Sequence, residues 1–187
     1  MSPEAGPSWR AQLAPRTSAD TDGEVQRLLG KLEQAGRGEL IVQLVANAPS
    51  ALRPWVLFSD ALLFRGVLPA ADRELIVLLL AARDRLDYVA SVHRSVALAA
   101  GLTAAQVDAL ASSDPDRLAA VFGSRERAAA RLAGALADDE FGEPEWDEAV
   151  TLWGADGALE FALVVGWWGG MVKVVSRALA LEPLGAD

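Results

Sequence analysis

The sequence predicts an all-α protein. Apolar residues recur at three- and four-residue spacing in long segments, and Leu, Ala and Val dominate those segments. No stretch alternates apolar and polar residues over a useful length, so nothing reads as a strand. The 187 residues fit one domain with an arm. The expected division is a flexible arm over residues 1–22, rich in Pro, Ser, Ala and Gly, followed by one helical domain over 23–187.

Each helix is bracketed by its own start and stop signals. Glu24 to Gln34 forms the first and ends at Gly36. Gly38 to Ala46 forms the second, stopped by Asn47-Ala48-Pro49. Ser50 caps a third that reaches Arg65 and stops at Gly66, with Pro54 tolerated in its first turn. Ala70 to Arg83 follows Pro69 and carries six consecutive apolar residues, Leu75 to Leu80, so this helix is buried on all sides. Leu86 to Ala100 is closed by Gly101. Thr103, with Gln106 three residues on, opens a short helix through a capping box. Asp114-Pro115 starts another turn, and Ser124 caps a helix through Leu136. Asp138-Asp139-Glu140 reads as a solvated acidic loop. Pro144 starts a helix through Trp153, and the last long helix runs from about Asp156 to Leu181. Glu160, inside that helix, needs a partner, and a salt bridge to Arg or Lys is the expected one.

Composition narrows the chemistry. Apolar residues make up 52% of the chain, enough for a sizeable core. The net charge of −9 repels phosphates and anionic lipid, so neither a nucleic-acid nor a membrane partner is expected. Zero cysteine removes disulfides, thiolate zinc sites and nucleophilic thiols, and a single histidine, His93, removes multi-histidine metal sites. No metal and no cofactor is expected. The N-terminus has no hydrophobic signal region. The longest apolar run, Phe161 to Val172, falls well short of the roughly 20 residues that span a bilayer. A cytoplasmic location is the resulting expectation.

Most enzyme signatures are absent, including phosphate-binding Gly-rich loops and the G-x-S-x-G elbow. Gly166, Gly169 and Gly170 flank Trp167-Trp168 inside a helix, where they suit close helix packing. One region is distinctive: Arg73-Glu74-Leu75-Ile76-Val77-Leu78, then Asp87-Tyr88-Val89-Ala90-Ser91-Val92-His93, then Ala99-Ala100-Gly101-Leu102-Thr103. Here the chain resembles the carboxymuconolactone decarboxylase family, which includes the AhpD-type alkylhydroperoxidases. The resemblance places Glu74 at the family's buried glutamate, His93 at its histidine and Tyr88 at the Tyr of a Tyr-Glu-Trp variant. It extends from about Leu40 to Leu181, through Asn47-Ala48-Pro49 and Val165-Gly166-Trp167-Trp168.

The departures are as informative. Leu86 and Val89 stand at the two cysteine positions, so the thiol peroxidase chemistry of the AhpD branch is lost. Val89 and Ala90 replace the Glu and Trp of the variant motif. Leu79 and Gly169 stand where the family often has Arg and Asn. The pocket is therefore more apolar than the family norm.

The resemblance implies an AhpD-like helical fold assembled as a trimer or hexamer, with a cofactor-free reaction on a small organic molecule. Leu86, Val89 and His93 lie at i, i+3 and i+7, one helix face. A Glu74–His93 pair suits proton transfer in a decarboxylase-like lyase or a related isomerase or cyclase. Tyr88, Leu86, Val89, Trp55, Trp167 and Trp168 are the candidate pocket walls. Arg83, Arg85 and Arg94 are within sequence reach of a substrate carboxylate, against a solvent-facing role. The competing reading is a degenerate binding or assembly protein that kept the fold and lost the chemistry.

Overall fold

The computed structural model describes residues 13–37, 39–112 and 114–183, and among these no strand occurs. Residues 1–12 of the expected arm lie outside the described residues. The helices are α1 (Gly23–Gln34), α2 (Leu40–Val45), α3 (Pro49–Phe64), α4 (Ala70–Arg83), α5 (Asp87–Ala99), α6 (Ala104–Ser112), α7 (Pro115–Val121), α8 (Ser124–Ala137) and α9 (Glu143–Gly166). A π-helical turn, Trp167–Val172, then leads into α10 (Lys173–Ala178). The chain forms two compact units, one ending at Ala61 and one starting at Leu62, with the division inside α3.

In the first unit, α1 buries Leu29 and Leu32 together with Val42, Ala46, Leu52 and Val56. Several residues of the expected arm are hydrogen-bonded here. The Ser18 amide and hydroxyl both donate to the Glu33 carboxylate, and the Arg16 amide donates to the Gln43 carbonyl. These bonds hold the Glu33 carboxyl below its ordinary value, through the hydroxyl first and the amide second.

In the second unit, α4 packs against α5, α6, α8, α9 and the π turn. Its run from Leu75 to Leu78 is buried, as are Leu80 and Ala81, which is what a helix apolar all round requires. The α4–α5 corner closes by a Schellman motif: the Leu86 amide donates to the Ala81 carbonyl at 2.8 Å and the Arg85 amide to Ala82 at 3.2 Å. Arg85 occupies the left-handed position at φ +53°. Gly101, at φ +104°, ends α5 as the sequence predicts.

The caps follow the sequence in part. Thr103 and Gln106 form the reciprocal box, and Asp114 accepts from the Asp116 amide. Ser50 and Ser124 are helical residues rather than caps, with α3 starting at Pro49 and α8 capped by Gly123. Gly154, at φ +73° and ψ 171°, breaks α9 between Trp153 and Asp156, where the sequence separates two helices. The π turn was not foreshadowed.

Glu160 corrects an expectation. It makes no salt bridge to Arg or Lys; its Oε2 accepts the Val67 amide at 2.5 Å and the Leu68 amide at 3.1 Å. Gly66 is accordingly more than a helix stop, because the carboxylate lies directly over its α-carbon. The helical run Glu143–Ala178 is long and apolar enough, by length and composition, to cross a bilayer. Core helices pass the same test, and Phe161, Val164, Val165, Trp167 and Trp168 are buried within this unit.

Candidate active site

The α4–α5 hairpin brings Glu74 and His93 together. Glu74 lies in the second turn of α4 and is fully buried. His93 shares one face of α5 with Leu86 and Val89, all of them buried. The His93 Nδ1 lies 2.8 Å from Glu74 Oε2, and the Arg73 Nε donates to Glu74 Oε1 at 3.1 Å. Arg73 is itself buried, so its charge balances the carboxylate inside the core.

The far side of the imidazole is occupied too. The Trp168 indole N–H donates to His93 Nε2 at 3.2 Å, and the two rings meet edge to face at 89°. An indole nitrogen can only donate. Nε2 therefore carries a lone pair, and the hydrogen-bond network assigns the proton to Nδ1, donated to Glu74. The four side chains form one chain of bonds, Arg73–Glu74–His93–Trp168, in which His93 is neutral.

The π turn positions Trp168. Such turns insert one residue into a helix and re-aim the side chains that follow. Gly169 faces Leu80 on α4: a Cβ there would sit 3.5 Å from the nearer Leu80 methyl, an ordinary van der Waals contact.

The remaining sequence candidates divide. Trp167 and Tyr88 are buried in this unit. Trp55 belongs to the first unit, half-buried against the Leu29–Val56 cluster. None of the three arginines bonds to the Glu74–His93 pair. Arg83 pairs with Asp138, Arg94 pairs with Asp108, and Arg85 and Arg94 line a separate cleft of about 380 Å³ with Leu78, Ala82, Ala90 and Ser91. Ser91 lies on the α5 face opposite the Leu86–Val89–His93 stripe, with Ala90 and Arg94 between the two. Sequence reasoning missed Arg73 as the partner of Glu74 and Trp168 as a hydrogen-bond donor. It also missed Asp72, which accepts from the Trp153 indole at 2.6 Å and from Arg125 at 2.8 Å, tying α4 to α9 and α8.

Residues 49–135 match the Carboxymuconolactone decarboxylase family. Two solved structures share the fold. One is the alkylhydroperoxidase AhpD core of an uncharacterized peroxidase-related protein from Ralstonia eutropha JMP134. It is 22% identical with a TM-score of 0.75, over 92% of this chain and 91% of that one. The other is an uncharacterized peroxidase-related protein from Silicibacter sp. TM1040, 18% identical with a TM-score of 0.73, over 93% of this chain and 95% of that one. No curated protein matches the chain.

Proposed function

We propose that the chain, whose residues 49–135 match the carboxymuconolactone decarboxylase family and whose fold is AhpD-like, is a divergent, cysteine-free member of that family and a cofactor-free enzyme acting on a small organic molecule. The reaction is proton transfer at carbon, in a decarboxylase-like lyase or a related isomerase or cyclase. The observation that carries the reading is the 2.8 Å contact between a fully buried Glu74 and the only histidine. His93 moves the proton. Glu74 orients the imidazole and stabilises its charged form, and in a dry site that stabilisation is strong. Leu86 and Val89, at the cysteine positions of the family, supply apolar walls and no thiolate. The same reading places the protein in the cytoplasm, as a homo-oligomer of three or six chains.

A second reading has its own support. The indole of Trp168 caps the one imidazole nitrogen that a substrate would use. A fold in which that cap never lifts would be a binding or assembly protein.

The test is turnover of a panel of lactone acids, β-keto acids and ketones bearing α-hydrogens, followed by CO2 release and by deuterium uptake from D2O. Enzymatic proton transfer predicts turnover that falls by about 10²-fold or more in His93→Gln while helicity and melting stay unchanged. Equal turnover in that variant sinks the assignment. Ligand-induced thermal stabilisation with no turnover selects the second reading.

A further inference from the structure

We infer that Trp168 is a working part of this site: its indole N–H holds His93 as a base at rest and then passes to the carbonyl oxygen of a substrate whose α-carbon gives its proton to Nε2. The inference rests on the enzyme reading above and narrows it. It selects carbonyl compounds with an acidic α-hydrogen as the substrate class, and proton abstraction as the first step.

The argument begins with donor counting. Glu74 is engaged by Arg73 on one oxygen and by His93 Nδ1 on the other. A carboxylate already balanced by a guanidinium is an acceptor, so the Nδ1 proton points at it. The indole N–H faces Nε2. Both faces of the ring thus agree on one tautomer, with the lone pair on Nε2. A histidine poised this way accepts a proton before it can give one. It does not enter the reaction as the acid that a direct decarboxylation calls for.

Displacement of the indole from Nε2 creates the second half of the site. The two nitrogens are 3.2 Å apart, in direct contact, so a carbonyl group enters only after the indole has swung clear of Nε2. A carbonyl group inserted between them takes the N–H on its oxygen and presents its α C–H to Nε2. The C–H electron pair moves into the carbon–carbon bond and the carbonyl pair moves onto oxygen. The result is an enolate under the indole N–H and an imidazolium against Glu74. Return of the proton to the same carbon gives exchange alone; in a β,γ-unsaturated carbonyl compound the pair extends to the γ-carbon, and protonation there completes an isomerisation with nothing oxidised or reduced. The donor is aimed at the oxygen where charge develops, the geometry that lowers such barriers most.

The indole is carried by the π turn rather than by regular α-helix. Trp168 lies within that turn and is followed by Gly169 and Gly170. Above Gly170 a Cβ would meet nothing within 4 Å, so no side chain packs over the turn at that position.

The single histidine makes the test unambiguous. The full-length protein, labelled with ¹⁵N in histidine, shows one imidazole. Expected is a protonated Nδ1 and an unprotonated Nε2 shifted by its indole bond. In Trp168→Phe the Nε2 resonance moves to the position of a free lone pair while Nδ1 stays. In the substrate panel, wild type takes up α-deuterium from ketones, aldehydes or lactones without CO2 release. Trp168→Phe loses this about 100-fold in kcat with KM little changed. If Trp168→Phe fails to fold, the wild-type spectrum and exchange still decide. A proton on Nε2, a doubly protonated ring at neutral pH, or exchange undiminished in Trp168→Phe overturns the inference. CO2 release without exchange overturns it and leaves the Glu74–His93 enzyme standing. Silence in both arms removes the enzyme reading and this one together.

Discussion

Gly66→Ala is predicted to destabilise the second unit more than its one added methyl suggests. The new Cβ would stand 2.5 Å from Glu160 Oε2 and closer still to Cδ and Oε1. The carboxylate must move, and it is not free to do so. Its Oε2 holds the amides of Val67 and Leu68, and its Oε1 is buried without a partner. Displacing it forfeits two charge-assisted bonds and leaves the buried Leu68 amide without an acceptor. At roughly 1.5–3 kcal/mol for each bond to a charged group, with partial relaxation, the loss comes to about 3–5 kcal/mol. That is a large share of the 5–15 kcal/mol typical of a domain. The assay is urea unfolding followed by far-UV circular dichroism, reading the midpoint at constant slope. A double-mutant cycle isolates the cause. In a Glu160→Ala background there is no carboxylate to displace, so Gly66→Ala should cost less than about 1 kcal/mol there. A single-mutant loss below about 0.5 kcal/mol, or additivity in the cycle, would refute the reasoning.

Three further predictions follow from other parts of the fold. Gly154→Ala places a side chain at φ +73°, ψ 171°, a conformation that glycine alone adopts readily; with open space around the Cβ, backbone strain alone should cost about 1–3 kcal/mol in the same unfolding assay. Asp72→Ala should cost about 2–4 kcal/mol because it orphans the Trp153 indole and frees Arg125, whereas Asp72→Asn keeps an acceptor and should lose about half as much; tryptophan fluorescence during unfolding separates the two. Ser18→Ala should raise the Glu33 carboxyl toward its ordinary value, because the Ser18 hydroxyl is the largest cause of the lowering. A lowered carboxyl contributes stability that is complete above its ordinary value and is lost as pH falls through the lowered one. The stability gap between wild type and Ser18→Ala should therefore be full at neutral pH and close in acid. Identical NMR titrations of Glu33 in the two proteins would contradict this.

What the sequence made legible was the information carried locally. The unbroken apolar run of α4, the Thr103–Gln106 box and the stop at Gly101 depend on residues within a few positions of one another, and all are found. Glu74 and His93 were paired only through the family resemblance, since nothing in their own neighbourhoods requires the contact. The Trp168 bond to His93 spans 75 positions and depends on a π turn that no local rule places. Trp168 could be read as an apolar wall but not as a donor. Glu160 failed differently: a search for its partner among charged side chains overlooks backbone amides, which every residue carries and no sequence pattern marks.

The energetics of the buried quartet bear on the choice between an enzyme and a degenerate fold. Arg73, Glu74, His93 and Trp168 are withdrawn from water beside Leu75 to Leu78, on a helix with ample apolar material to fill the same volume. Burial of an ion pair in such a place is a poor route to stability, because desolvation offsets most of the attraction and an apolar replacement packs as well or better. That cost is what weighs toward the proposed proton transfer, which needs a dry imidazole, a carboxylate to orient it and a cation beside that carboxylate; a structural role in fixing how α4 and α5 pack is the alternative that the His93→Gln test separates from it. With leucine and valine at the cysteine positions, the surroundings are drier still. That change removes sulfur chemistry and leaves the proposed acid–base pair with apolar neighbours, where an ionic contact is screened least.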